Sequence, residues 1–229
     1  MTPLEIVSTI RTLLDSGHEW YAPLDFMEQQ IDNAQRMLIA RAHAKGDERC
    51  LRPLYVFEED CIIDNTTAEF QLNTLMFFPR NLIVKTVDNN GNNKFVTLSY
   101  LEPAKFENYN MIFTNQPYLL PGANYPKYGY WSYVNRTDAN NILRTIIQIK
   151  NNTGMQDLLA SILYIRYPVA FSVANNIGLE VPLEYHFEVA CFAAERINTM
   201  DVTEQQRGLY VPIESGQRVP LQNAGGVND

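Results

Sequence analysis

The stretch from Leu143 to Ile197 reads in order as strand, turn, strand, proline-marked corner and helix: LRTIIQIK, NNTGMQD, LLASILYIRYP, then a loop leading into VPLEYHFEVACFAAERI. In the first strand Leu143, Thr145, Ile147 and Ile149 alternate onto one face, with Arg144, Gln148 and Lys150 on the other, so one side meets a core. The second strand is apolar on both faces, with Leu159, Ser161, Leu163, Ile165 and Tyr167 on one and Leu158, Ile162 and Tyr164 on the other. That pattern belongs in the interior of a sheet. The helix repeats Leu183, Phe187, Ala190, Cys191, Ala194 and Ile197 at helical spacing, and Val189 and Phe192 begin a second apolar stripe. Two stripes require two partners: the subunit's own core, and another helix or another subunit.

The N-terminus supplies helices for the first of these. Thr2-Pro3-Leu4-Glu5 is a capping box with proline at the first helical position. It predicts a helix from Pro3 whose apolar face is Ile6, Val7, Ile10, Leu13 and Leu14, ended by Asp15-Ser16-Gly17. A second helix from near Pro23 buries Leu24, Met27, Ile31, Ala34, Leu38 and Ala42, leaves Gln30, Asn33 and Arg41 off that line, and stops at Lys45-Gly46-Asp47. Two helices on a short loop cannot cover both their faces, so they are expected to pack on each other and on the late helix.

From Cys50 the period becomes two-fold. Tyr55 to Ile63, Glu69 to Phe78 and NLIVKTV-DNNGNN-KFVTLSYL read as strands, the Asn/Gly cluster being a hairpin turn. Residues 102–141 are rich in Tyr, Pro, Asn and Gly without a sustained period and read as short strands and turns whose aromatics cap a sheet edge or face a neighbour. Beyond Met200 the composition turns polar around one apolar cluster, Leu209, Tyr210, Val211, Pro212 and Ile213, with a weaker one at Val219-Pro220-Leu221. Burying the first cluster gains roughly 6 to 10 kcal/mol. Ordering the whole tail costs several times that, at about 1 to 2 kcal/mol per residue for the backbone alone. The tail is therefore expected to become ordered on another surface that supplies hydrogen bonds as well as apolar pockets.

No catalytic or cofactor motif stands in the sequence: GxxxxGK[ST], GxSxG, HExxH and paired CxxC are all missing. Glu58-Glu59-Asp60 is the densest acidic run and reads as a solvated strand end. His18, His43 and His186 have no second ligand at helical spacing and read as surface or capping residues, and Cys50, Cys61 and Cys191 as buried small hydrophobes. The chain is thus expected to be no enzyme and to hold no metal or cofactor. A net charge of −8 and a pI near 4.9 argue against gripping duplex phosphates. With no run of apolar residues long enough to span a bilayer and no signal-peptide start, an untargeted soluble protein is expected.

The order of parts resembles the head-to-tail adaptor proteins of tailed bacteriophages. The opening STIRTLLDSGHEWYAPLDFMEQQIDNAQRMLIAR carries a helix ending in a leucine pair, a polar turn, a Trp, and a second helix with Ile31-Asp32-Asn33-Ala34-Gln35. Further along come Leu98-Ser99-Tyr100 with Glu102 close behind, Pro126-Lys127-Tyr128, an Ile-rich strand, a strand closing at Tyr167-Pro168, and a helix led by Val181-Pro182. The resemblance covers roughly residues 5–198. It implies a structural virion protein, a connector ring of the gatekeeper or tail tubular protein A type, commonly of about twelve copies. Such a ring sits beneath the portal and joins capsid to tail; its partners are further copies of itself, the portal protein and an adjacent tail or neck ring, with DNA passing through without specific binding. Another neck or tail-hub ring component, or a β-rich ligand-binding module using the aromatic segment Tyr125 to Tyr133, is the alternative.

The expected fold is α+β: a small helical bundle formed by the N-terminal helix pair and the late helix, with an inserted antiparallel β domain and an extended C-terminal tail. Its parts are 1–48, the mainly β 49–180, the bundle helix 181–199 and the docking tail 200–229. For an assembling subunit the candidate contacts are Leu209, Tyr210, Val211, Pro212 and Ile213 for portal or ring docking, and Phe187, Val189, Phe192 and Trp131 between subunits. The hairpin tip Asn89, Asn90, Gly91, Asn92 and Asn93 is the candidate contact with a neighbouring ring.

Overall fold

The computed structural model describes residues 1–14, 23–64, 66–87, 90–107, 129–138, 140–151, 156–206, 210–211 and 219–220. Backbone packing divides the chain into two units, Met1–Pro53 with Pro168–Asp229, and Leu54–Tyr167. The fold is α+β: a helical unit is made from both chain ends, and a β unit is inserted between them.

In the helical unit, α1 (Pro3–Leu14) starts on the capping box that the sequence spells out. Thr2 N donates to Glu5 Oε2 at 2.7 Å and Glu5 N to Thr2 Oγ1 at 3.3 Å, so two donors that the helix start leaves unpaired are satisfied reciprocally. Ile6, Val7 and Ile10 are buried. Helix α2 (Leu24–Lys45) ends where Gly46 takes φ +70°, a conformation that costs glycine nothing, and the Gly46 N–H returns to the carbonyls of Ala42 and His43. Its buried line includes Gln30, which the apolar pattern had left off, and excludes Leu24, which is exposed at the first residue of the helix. A short α3 (Glu48–Leu51), capped by Asp47, and a 3-10 turn (Arg52–Leu54) lead out of the unit's first part.

The last helix, α5 (His186–Gln206), packs with α1 and α2. Its buried face is Val189, Ala190, Ala193, Ala194 and Ile197, whereas Leu183 and Phe187 stay 66% and 59% exposed. Of the expected stripe, Ala190, Ala194 and Ile197 are thus buried, Cys191 is half-buried, and Leu183 and Phe187 at its start face outward. Leu183–Tyr185 form a 3-10 turn with about three residues per turn, so the α-helical period begins only at His186. The alanines let the three helices approach closely. The helix also runs past the expected end at 199 to Gln206, because no glycine or proline intervenes before Gly208. Beyond it, β8 (Tyr210–Val211) pairs antiparallel with β9 (Val219–Pro220), joining the backbones of the tail's two apolar clusters. The remainder of the expected tail lies outside the described residues.

The β unit contains β1 (Tyr55–Ile62), β2 (Glu69–Gln71), β3 (Met76–Val87), β4 (Asn93–Tyr100), β5 (Gly129–Thr137), β6 (Leu143–Asn151) and β7 (Gln156–Arg166), with a short helix α4 over 103–107. The strands form one nearly closed sheet in the order β1-β7-β3-β4-β5-β6-β2. As its two apolar faces require, β7 is interior. The expectation of an antiparallel sheet fails at one join, where Ser99 and Tyr100 of β4 pair in parallel with Tyr130 and Trp131 of β5. A two-residue parallel join across a long connection leaves no local sequence signal.

The short connection suits the curl: strands β6 and β7 stand four places apart, roughly 19 Å if the sheet were flat, and residues 152–155 that join them reach about 18 Å at most. Inside the sheet Leu82, Val84, Val96, Leu98, Trp131, Ile147, Ile149, Ile162 and Tyr164 make one core. Thr145 pins it from β6: its hydroxyl donates to Asn135 Oδ1 at 2.8 Å and accepts from Met76 N of β3 at 3.0 Å, and its carbonyl accepts from Leu72 N at 3.0 Å.

The division between the buried face of α5 and the exposed residue before it is testable by chemical denaturation. Ile197→Ala should lower unfolding stability by about 2 to 5 kcal/mol, and Leu183→Ala should stay within about 0.5 kcal/mol of the parent.

Candidate functional site

Most of the polar work in the helical unit falls on one face of α2. Glu28 Oε1 accepts from Val173 N at 2.6 Å, Asp32 Oδ1 from Phe171 N at 2.7 Å, and Gln35 Oε1 from Glu180 N at 2.8 Å. Spacings of four and three put the three side chains in a row. They clasp the segment between β7 and α5, which the sequence reading had assigned to the β part and which belongs with the helices. Within the segment Glu180 Oε2 accepts from Val169 N at 2.6 Å, and Ser172 and Ile177 exchange backbone bonds of 3.1 and 2.8 Å. Two residues of the Ile31-Asp32-Asn33-Ala34-Gln35 signature thus hold the returning chain. Burial raises the pKa of Asp32 above its ordinary value despite the bond from Phe171 N.

A second feature is a cleft of about 380 Å³ between α2 and α5, lined by Met37, Arg41, Phe192, Glu195, Arg196 and Thr199. The Arg41 guanidinium carbon lies 4.7 Å from the Phe192 ring centroid, and Arg41 also pairs with Glu188 at 3.8 Å. Arg196 reaches across the cleft floor to Gln30 Oε1 (3.2 Å) and Met37 Sδ (3.4 Å). This surface was missed, although Met37 and Arg41 on α2, and Phe192 and Arg196 on α5, show the i, i+4 spacing that would reveal it.

The inter-subunit candidates separate. Phe187 is exposed, and Phe192 is half-buried in the cleft under Arg41. Val189 is fully buried in the helical unit, and Trp131 is buried in the β core with Tyr100 at 5.1 Å, so neither is available to a second copy. An apolar residue at the right period serves a core as readily as an interface. At the hairpin tip Asn90, Gly91, Asn92 and Asn93 are exposed, with Gly91 at φ +81°; Asn89 lies outside the described residues. Of the tail anchors, Tyr210 and Val211 form β8, and Leu209, Pro212 and Ile213 lie outside the described residues. Phe57, Ile62 and Phe95, exposed on the β unit, were not singled out.

Among the described residues no group of three or more His, Cys, Asp or Glu could hold a metal ion, and no helix is long and apolar enough to cross a membrane. Burial pushes the Cys50 and Cys61 thiols up to about 11, which leaves them protonated and unreactive at neutral pH. His186 is not a surface histidine. It is buried at the start of α5, where Nε2 donates to Val181 O at 2.9 Å, and burial lowers its pKa below the ordinary 6.5. Comparison with models of protein families finds no match, and no curated protein matches the chain.

Two outcomes follow from these geometries. Asp32→Asn keeps an acceptor for Phe171 N and sheds the half-buried charge, so at pH 7 its denaturation midpoint should equal or exceed that of the parent. Asp32→Ala leaves that N–H without its partner and should cost about 1 to 3 kcal/mol. Because the folded chain binds the His186 proton more weakly than the unfolded chain, stability is complete above about pH 6.5 and is lost as pH falls through the window below it. Denaturation midpoints between pH 7.5 and 5 should fall more steeply for the parent than for His186→Gln.

Proposed function

We propose that the chain is the repeating subunit of a connector ring at the head-to-tail junction of a tailed-phage virion, seated beneath the portal, with the genome passing through it. The observation that carries this reading is a helical unit closed from both chain ends around an inserted β unit, the order of parts in the adaptors that the chain resembles. Leu183, on the 3-10 turn that leads into α5, and Phe187, in the first turn of α5, support it, because both stay exposed after the helical core has been filled. In a ring these two residues form part of the subunit contact. The Met37–Phe192 cleft lies on another side of the same helix pair and supplies a polar rim. The tail cluster Leu209, Tyr210, Val211, Pro212 and Ile213 docks on the portal or an adjoining ring, and the Asn90–Asn93 tip faces a neighbouring ring. Net charge of −8 per copy keeps passing DNA from adhering. The role is structural and forms no covalent bond.

Native mass measurement of the protein, alone and mixed with the portal protein of the same virion, tests the reading. The parent should form a closed ring of about twelve copies, free or on the portal, and Phe187→Asp combined with Leu183→Asp should reduce it to monomers. A parent that stays monomeric at every concentration and leaves the portal's mass unchanged would overturn the proposal.

A further inference from the structure

The two terminal strands of the sheet, β1 and β2, meet at a seam that backbone pairing closes at one end only. At the turn between them Asp64 N donates to Glu69 O at 2.9 Å, and Asp64 Oδ1 accepts from Thr66 N and Thr67 N at 2.7 and 2.9 Å. Further along, the β1–β7 register jumps between Glu58 and Cys61, and Asp60 takes φ +52°, so Glu59 and Asp60 form a bulge that bends β1 out of line. Here a side chain replaces the ladder. The Glu58 carboxylate accepts from Asn73 N at 3.1 and 3.4 Å and from Asn73 Nδ2 at 3.0 Å. Behind it the buried Tyr164 hydroxyl, bonded to Thr74 Oγ1 at 2.7 Å, donates to Glu58. The Tyr164 phenol is driven well above its ordinary pKa by burial and by that bond.

The strand carrying this run is a terminal strand of the sheet with apolar side chains on its surface. Tyr55 to Ile62 is strand-favouring at both ends, and Phe57 and Ile62 are 56% and 79% exposed. Unguarded, such an edge templates pairing with another chain, and bulges and charges are the devices that prevent it. The partner that fits is a second copy, because every copy presents the same β1 edge beside the short β2 edge at the same seam.

We propose that Glu58-Glu59-Asp60 is an edge guard that needs both its parts: the Glu59–Asp60 bulge turns β1 away from a second copy only while Glu58 latches it to Asn73, so that removing the latch alone makes this edge self-pairing. The inference is independent of the connector reading, since the parent's own oligomer, ring or monomer, is the reference state.

The full-length chain carrying Glu58→Ala tests it, with Glu58→Thr as a second variant that retains strand preference but is too short to reach Asn73. Hydrogen exchange at the Asn73 amide should quicken about tenfold or more at low concentration. As concentration rises, the variants' mass should exceed the parent's, and exchange across residues 59–62 should slow as that edge becomes paired. Parent-like exchange at Asn73 in either folded variant would overturn the latch. Faster exchange with the parent's mass at every concentration would overturn the guard. A connector that fails to form rings would leave both comparisons intact.

Discussion

The architecture depends on the pairing of β1 with β7. Tyr55 stands opposite Ile165, which fixes the first and last strands of the inserted unit at about 5 Å from one another. For the helices, residues 54–167 then behave as a short bridge instead of a long loop. Shortening an effective loop from about 110 residues to about 5 removes four to five doublings of length, roughly 3 kcal/mol of closure entropy. That gain is comparable to a well-buried side chain. It makes assembly of α5 on α1 and α2 depend in part on the β unit, since contacts such as the bond from Arg196 to Gln30 join residues separated by 166 positions.

The same contingency explains which parts of the fold were legible in the sequence. The Thr2–Glu5 box, the Gly46 stop and the Val87–Asn93 hairpin are set by neighbours within a few residues, and they stand where the pattern puts them. The interior position of β7 was readable because burial on both faces leaves a continuous apolar run. Other features are set from a distance. Nothing local marks Ser99 as the parallel neighbour of Tyr130, and nothing near Gln30 announces an arginine on α5. The α5 stripe holds at Ala190, Ala194 and Ile197 and fails at its start, where Leu183 stands on a 3-10 turn before the helix begins. Of the candidate site, Phe187 was readable as a surface apolar residue only in the sense that it was apolar. Val189, two residues on, carried the same signal and is core.

Polar groups supply what the apolar pattern leaves undetermined. The buried face of α5 is three alanines with Val189 and Ile197, and the alanines present little relief that would fix the position of the helix along α1 and α2. The Gln30–Arg196 bond fixes that position, since a one-turn shift of about 5 Å strands a buried amide oxygen and a guanidinium together. Glu28, Asp32 and Gln35 act likewise on the returning segment: each carries an acceptor to one particular N–H, so the segment cannot slide along α2 without losing all three. In the β unit Thr145 and Glu58 perform the corresponding task across gaps that no ladder spans. Hydrophobic burial therefore decides that these elements associate, and a small set of buried or half-buried polar side chains decides the register in which they do so.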